Sequence, residues 1–186
     1  MSGATEEAMA AGRQSQCAAD LTTRSGARLH ARTAQASDTG LLSDLFRHVS
    51  AEDLRFRFMD TAGELSAGQL AALVDADHGV TTFLALCGDG CAVACCTLTE
   101  DKDGQSADVT LSVRSDWKGK GVSWTLLEYV LGCAAARGLK RVSSLESGED
   151  RAAINLQREM GFVARLHSAD PMEYTLSKFV EPQPGS

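Results

Sequence analysis

The stretch VRSDWKGKGVSWTLL, residues 113–127, decides the fold of this chain. A strand ends at its first residues, two glycines turn the chain, and leucines at helical spacing then begin a helix. Glycine lets the backbone approach a ligand closely, and the first amides of a helix have no partner inside it. Those amides and the helix dipole favour a phosphate or pyrophosphate, and Lys118 and Lys120 add positive charge. The pattern predicts an anion-binding turn, and an ordinary glycine-containing turn would have the same pattern.

Two well-known phosphate loops do not match this stretch. A P-loop has the pattern GxxxxGK[ST], and no glycine lies five residues before Gly119 or Gly121. A dinucleotide-binding fingerprint has the pattern GxGxxG, and position 124 is tryptophan where it needs the third glycine. The nucleotide-binding classes that depend on these motifs are therefore excluded.

The stretch does resemble the coenzyme A loop of the GNAT superfamily of acetyltransferases, whose pattern is Gln/Arg-x-x-Gly-x-Gly/Ala. Lys118 stands here at the first position and Ser123 at the last. Further on, DRAAINLQREMGF (residues 150–162) resembles the N-R-A-x-x-x-L-x-x-x-x-G-F helix that flanks the pantetheine arm in that superfamily. Asp150 replaces the leading asparagine. A capped amphipathic helix that ends in glycine would account for part of this second match.

The resemblance extends over residues 28–178 and is strongest to the acetyltransferase domain of bacterial Pat-type protein lysine acetyltransferases. Its carriers are residues 50–58, 73–78 and 107–117. It implies an α/β (α+β) GNAT fold: a mixed, mostly antiparallel, twisted sheet with a central split and helices on both faces. The expected organisation is a flexible leader over residues 1–26, the GNAT domain over 27–180 and a tail over 181–186.

Hydrophobic periodicity and turn residues give a coarse secondary structure of the same kind. Helices are expected to begin near Ser37, Ser50, Ser66 and Asp150, with Phe56 and Phe58 in a loop after the second. A further helix is expected after the glycine-containing loop, with Leu126, Leu127, Val130, Leu131, Ala134 and Ala135 on one face. Strands are expected over residues 28–33, 81–87, 92–99, 107–113, 141–145, 162–167 and 173–178. The glycines of residues 88–90 predict a hairpin turn.

The resemblance also implies which residues hold the cofactor, acetyl-CoA. The thioester would lie against the strand over residues 107–113, with its carbonyl near the backbone amides of that strand's end. The implied cofactor contacts are Leu111, Ser112, Val113, Lys118, Gly119, Lys120, Gly121, Val122, Ser123 and Asp150.

The reaction requires a base, because a lysine amine, with a pKa of about 10.4, is protonated at neutral pH. Strand alternation places Asp108 on one face with Thr110 and Ser112. The resemblance puts Asp108 where related enzymes carry a catalytic glutamate, and the shorter side chain would act through a water. A solvated residue near a strand start is the alternative, and Glu146 is a second candidate base. Many relatives use a tyrosine as general acid where this chain has Gln157.

Composition limits the remaining possibilities. The chain has 186 residues, the length of one domain, and a formal net charge of −7 without the basic stripe of a nucleic-acid binder. No stretch comes near the roughly eighteen consecutive apolar residues of a transmembrane helix, and the first residues lack a secretory signal pattern. The expected location is the cytoplasm. The four histidines and six cysteines lack metal-ligand spacing, so no metal is expected.

The sequence thus predicts an N-acetyltransferase that acts directly on a primary amine, with a carboxylate base and acetyl-CoA as co-substrate. A protein lysine is the favoured acceptor. A small amine or amino acid is one alternative, and a non-catalytic acyl-CoA-binding regulatory domain is another. Neither a nucleic acid nor a membrane is expected as a partner, and a monomer and a homodimer are both compatible with the sequence.

Overall fold

A computed structural model describes residues 18–58, 64–75 and 78–181. Its strands form one eight-stranded sheet in the order β1-β2-β3-β4-β5-β6-β8-β7. The strands are β1 (Ala19–Thr22), β2 (Arg28–Thr33), β3 (Val80–Leu86), β4 (Ala92–Glu100), β5 (Ser106–Val113), β6 (Arg141–Ser147), β7 (Val163–Ala169) and β8 (Met172–Phe179).

Within the described ranges, five α-helices cover the two faces of the sheet. They are α1 (Thr39–Arg47), α2 (Ala51–Phe58), α3 (Ala67–Ala72), α4 (Val122–Ala136) and α5 (Arg151–Glu159). Helices α1 to α3 share a buried cluster with Leu84 and Cys95, whereas α4 and α5 share one with Phe83 and Cys96. Neighbouring strand residues point to opposite faces, so these two clusters are the two sides of the sheet. No helix among the described residues is long and apolar enough to cross a membrane.

The sheet is split in its middle, as the expected fold requires. Neighbouring strands pair antiparallel everywhere except at β5 and β6, which are parallel. That parallel ladder joins Ser106–Asp108 to Arg141–Ser143 and ends there. Beyond these residues the two strands are no longer paired, and we call the resulting gap between the two halves of the sheet the cleft. The α/β class, the mixed sheet, the split and the helices on both faces are confirmed.

Two local expectations were wrong. Residues 19–22, expected in a flexible leader, form β1, whose four residues pair with β2 from Ala19↔Ala31 to Thr22↔Arg28. Phe56 and Phe58 belong to α2 rather than to a loop after it. Residues 1–17 of the expected leader, which include Cys17, and the tail beyond residue 181 lie outside the described residues.

Candidate active site

The turn between β5 and α4 has the backbone geometry of an anion-binding loop. A short 3₁₀ turn, Ser115–Trp117, leads into Gly119 at φ 75° and Gly121 at φ 78°. A side chain strains the backbone at such angles, so glycine is required at both positions. Gly121 is the N-cap of α4, and its carbonyl accepts the Thr125 amide at 3.1 Å. The backbone amides at the start of α4 have no acceptor within the helix and can therefore bind a ligand.

The β1–β2 turn supports this loop from one side. The Ser25 hydroxyl donates to the Lys120 carbonyl oxygen at 2.7 Å. The Arg24 guanidinium stacks over the ring of Trp124 at 4.2 Å, and the Lys120 ammonium lies 4.7 Å from the ring centre of Trp117. No sequence signal indicated this support, because it depends on the pairing of β1. Arg24, Lys118 and Lys120 together give this end of an acidic protein a local positive charge.

Helix α2 supports the loop from the other side. The Lys118 ammonium donates to the Asp53 carboxylate at 2.7 Å, and both side chains are partly exposed. Lys118 therefore reaches across to α2, although the sequence predicted only that it would add positive charge at the loop.

The end of β5 is fixed by Arg57 of α2. Its guanidinium donates to the Ser112 hydroxyl and, at 2.9 Å, to the Thr97 hydroxyl on β4. The same guanidinium lies within 5.5 Å of the ring centres of Phe46 and Phe58. Ser112 is buried by these contacts. Position 112 borders the cleft, since β5 has lost its β6 partner there.

Asp108 lies at the closed end of the cleft, opposite Ser143 in the short parallel ladder. Its side chain is on the sheet face of Thr110 and Ser112, as strand alternation predicted. Ser112 lies four positions after Asp108, a distance of about 13 Å along a strand. Burial raises the pKa of Asp108, the neighbouring Asp101 raises it further, and Arg141 opposes both effects. The structure therefore does not bring this carboxylate into contact with the end of β5.

Glu146 lies beyond the ladder, where β6 borders the cleft. Strand alternation turns it to the face opposite Asp108, towards α5. The Gln157 amide of α5 donates to Glu146 Oε1, while its own oxygen accepts the Ser144 hydroxyl. Burial raises the pKa of Glu146 to about 7, against the opposing effect of the Gln157 hydrogen bond. This carboxyl can gain or lose a proton near neutral pH.

Asp150 has a clear local role at the start of α5. Its carboxylate accepts the Ala153 amide at 2.9 Å and so caps the helix. Aspartate and asparagine cap helices about equally well, which explains why the departure from the superfamily pattern preserves the helix. Among the residues described, no group of three or more His, Cys, Asp or Glu side chains is placed to hold a metal ion.

This geometry can be compared with known proteins. The Acetyltransferase (GNAT) family matches residues 44–162, well over half of the chain. The chain belongs to the GNAT family of acetyltransferases. GNAT proteins of known structure share its fold at low sequence identity. The GNAT domain of S. lividans PAT is 22% identical with a TM-score of 0.79, and the match covers 87% of this chain and 96% of that one.

Two further GNAT structures were solved with ligands. Spermidine N-acetyltransferase from Vibrio cholerae, in complex with CoA and spermine, is 16% identical, with a TM-score of 0.68 and coverage of 82% and 95%. Phosphinothricin acetyltransferase from Sinorhizobium meliloti, in complex with AcCoA, is also 16% identical, with a TM-score of 0.67 and coverage of 85% and 91%. At such identities the likeness shows the fold, and the acceptors named are those of the relatives.

Proposed function

We propose that this GNAT protein transfers the acetyl group of acetyl-CoA to a primary amine, with a protein lysine as the acceptor. The observation that carries the proposal is the cleft between β5 and β6, which opens beside the glycine loop at the start of α4. A thioester and the phosphates of one extended molecule could occupy these two places together.

The residues around the cleft fit acetyl-CoA. The amides that follow Gly119 and Gly121 and the three cations at the loop suit a pyrophosphate. Val122 is buried and contributes through its backbone, and Ser123 is the next residue of the helix. Leu111 and Val113 would offer their backbone amides to the thioester carbonyl, where negative charge develops during attack, while Ser112, whose own amide faces β4, lies between them. Asp150 begins the helix along which the pantetheine arm would lie.

In this proposal Asp108 accepts a proton from the acceptor ammonium through a water. The free amine then attacks the thioester carbonyl, the oxyanion is held by the β5 amides, and the carbon–sulfur bond breaks. The raised pKa of Asp108 makes it a better base than an ordinary aspartate. The Asp108 side chain is one methylene shorter than the glutamate of related enzymes, which is the reason for the intervening water.

The choice of a protein lysine is supported by the open surface beside Asp108. On that side, no described helix covers the sheet beyond β5, and large apolar side chains are exposed there. They include Leu145 (41% exposed), Val163 (59%) and Phe179 (77%). An open, partly apolar surface suits a protein chain better than a small amine, which is usually enclosed.

The proposal is tested by titrating acetyl-CoA into the protein in a calorimeter and then measuring thiol release with acceptor amines. The acceptors are a lysine peptide, spermidine and phosphinothricin. Micromolar binding with release that depends on the lysine peptide is the expected result. Release with spermidine or phosphinothricin alone would replace the protein acceptor by a small one. Binding without release would favour a regulatory domain, and no binding would overturn the proposal.

The role of Asp108 is tested with Asp108→Asn, which removes the base and keeps the shape. We expect unchanged acetyl-CoA affinity and a loss of kcat of about 100-fold. Asp89→Asn, in the exposed turn between β3 and β4, is the matched control and should retain full turnover. Equal turnover in the two variants would remove Asp108 from the mechanism.

A further inference from the structure

The reaction also needs an acid. When the tetrahedral adduct collapses, coenzyme A departs as a thiolate, and its sulfur must gain a proton to give the free thiol. A thiol of this kind has a pKa of about 8.5, so an acid with a pKa near 7 can supply that proton. Such an acid has to border the cleft between β5 and β6.

We propose that Glu146 is this acid and that Gln157 positions it. The inference rests on the proposed function and adds to it a second catalytic carboxyl, on the sheet face opposite Asp108.

The position of Glu146 is set by the separation of the two strands. The last residue of β6 paired with β5 is Ser143, and Glu146 follows three residues later on the face towards α5. Its neighbour on β8 is Tyr174, so β6 remains paired on its far side. On its near side, at the level of Glu146, the cleft replaces the strand partner.

Its orientation is set by a short chain of hydrogen bonds. The Ser144 hydroxyl donates to the Gln157 side-chain oxygen, and the Gln157 amide nitrogen donates to Glu146 Oε1. Ser144 and Gln157 are 3% and 4% exposed, so both ends of the amide are fixed in the interior. Because Oε1 accepts this hydrogen bond, the proton of the neutral carboxyl lies on the other oxygen.

The surrounding charges favour the neutral acid. Burial raises the pKa of Glu146 most, and the charges of Asp150 at the start of α5 and Asp53 of α2 raise it further. The hydrogen bonds of the uncharged Gln157 and Ser144 lower it, but by less than burial raises it. Tyr174 faces it from β8. Lys118, a cation of the loop before α4, is paired with Asp53. The pKa of about 7 leaves the carboxyl about half protonated at neutral pH.

The resemblance described above places a tyrosine acid of many relatives at position 157. A tyrosine hydroxyl extends farther from its helix than a glutamine amide does, towards the space that the Glu146 carboxyl occupies. Here a buried amide and the carboxyl that it binds take that place together.

The proposed step balances. The carbon–sulfur bond breaks, the electron pair remains on sulfur, and the Glu146 carboxyl gives its proton to the thiolate. The carboxylate that remains takes a proton from water before the next cycle. The acceptor ammonium loses two protons, one before attack and one from the tetrahedral adduct, and both leave through the Asp108 side. Since Glu146 recovers one proton from solvent, the net release is one proton per acetyl transfer.

The first test uses the wild-type protein alone. We measure kcat for thiol release from acetyl-CoA with saturating lysine peptide between pH 6 and 9. An acid with this pKa predicts that kcat falls as the pH rises above about 7. A kcat that stays level or rises throughout this range would overturn the inference.

The second test uses Glu146→Gln, which cannot donate a proton in the same way. We expect kcat to fall by about 100-fold and its decrease above pH 7 to disappear, while the Kd for acetyl-CoA changes less than about twofold. Glu149→Gln, an exposed neighbour, is the control and should retain both the rate and the profile. A Glu146→Gln protein with the rate and profile of the wild type would overturn the inference.

A third test distinguishes an acid from a structural residue. In the double variant Glu146→Gln, Gln157→Tyr, a phenol can reach the cleft. We expect kcat to recover at least tenfold relative to Glu146→Gln, and its decrease with pH to occur at higher pH than in the wild type. A merely structural role of Glu146 predicts no recovery. Absence of turnover by the wild type with every amine would be the distinct failure of the proposed function itself.

Discussion

The Lys118 ammonium and the Asp53 carboxylate, 2.7 Å apart, join the loop before α4 to helix α2. One helix therefore contacts two parts of the proposed site, since Arg57 of α2 also holds Ser112 at the end of β5. If Lys118 serves a phosphate, Asp53 competes with that phosphate for the same ammonium.

This competition predicts that Asp53→Asn binds acetyl-CoA more tightly than the wild type. A partly exposed ion pair contributes up to about 1 kcal/mol, so we expect a gain of about two- to fivefold in Kd, measured by calorimetry at low salt. Glu52→Gln removes one charge from the adjacent exposed position and serves as the control. Weaker binding by Asp53→Asn would mean that the pair positions Lys118 for the ligand.

Substitution by alanine should change the stability in opposite directions at Gly121, the N-cap of α4, and at Gly132, inside that helix. Gly121→Ala forces a side chain onto φ 78°, beside Thr23 and Arg24, and should cost about 1–2 kcal/mol of unfolding free energy. Gly132 is exposed in the helix interior with open space around it, so Gly132→Ala should add about 0.5–1 kcal/mol. Urea unfolding measures both values. Equal effects would contradict the left-handed conformation at position 121.

The raised pKa of Glu146 also predicts a pH-dependent stability. A carboxyl with a pKa of about 7 when folded, against 4.5 ordinarily, contributes stability that is fully present below pH 4.5. That contribution decreases as the pH rises and is lost above about pH 7. The free energy of unfolding of Glu146→Gln, relative to that of the wild type, should therefore increase by about 2–3 kcal/mol from pH 5 to pH 8. Urea unfolding at both pH values measures it. The exposed Glu149→Gln should show no such trend.

The ion pair between Arg32 and Asp38 predicts a stability change of the opposite sign. Arg32 binds both carboxylate oxygens of Asp38, at 2.6 and 2.9 Å, and this holds the pKa of Asp38 below 3.8. Its contribution is present above that pH and is lost as the pH falls through the lowered pKa. Asp38→Asn should cost about 2 kcal/mol at pH 7 and less near pH 3.

The control for this pair is Asp116→Asn, which breaks a similar two-bond contact with Arg114 at the surface. Solvent screens that pair, so the variant should unfold at nearly the same urea concentration as the wild type. A larger loss of unfolding free energy in Asp116→Asn than in Asp38→Asn would contradict the conclusion that burial makes the Arg32–Asp38 pair the stronger one.

Elements with a strong local pattern were predictable from the sequence. The glycines of residues 88–90 do join β3 to β4, and the adjacent Cys95 and Cys96 do face opposite sides of the sheet. β1 was missed because its four residues, Ala-Asp-Leu-Thr, have no pattern of their own. That strand depends on pairing with β2.

The site was predictable only where backbone and local spacing define it. Gly119 and Gly121 have positive φ angles, at which glycine is favoured, so residue type alone is enough to predict a turn there. The Asp53 contact of Lys118 joins residues 65 apart in the chain, and the surroundings of Glu146 depend on where β5 and β6 separate. Such relationships follow from the packing of distant elements, which a single sequence does not specify.

The three-residue ladder between β5 and β6 has a consequence for engineering. The chain passes from one half of the sheet to the other once, between α4 and β6. Each half of the sheet is therefore a contiguous stretch of sequence. Two fragments divided near the exposed Gly138 would each carry one wall of the cleft. Their reassembly should depend on a molecule that spans both walls, which would make the pair a split reporter for intracellular acyl-CoA.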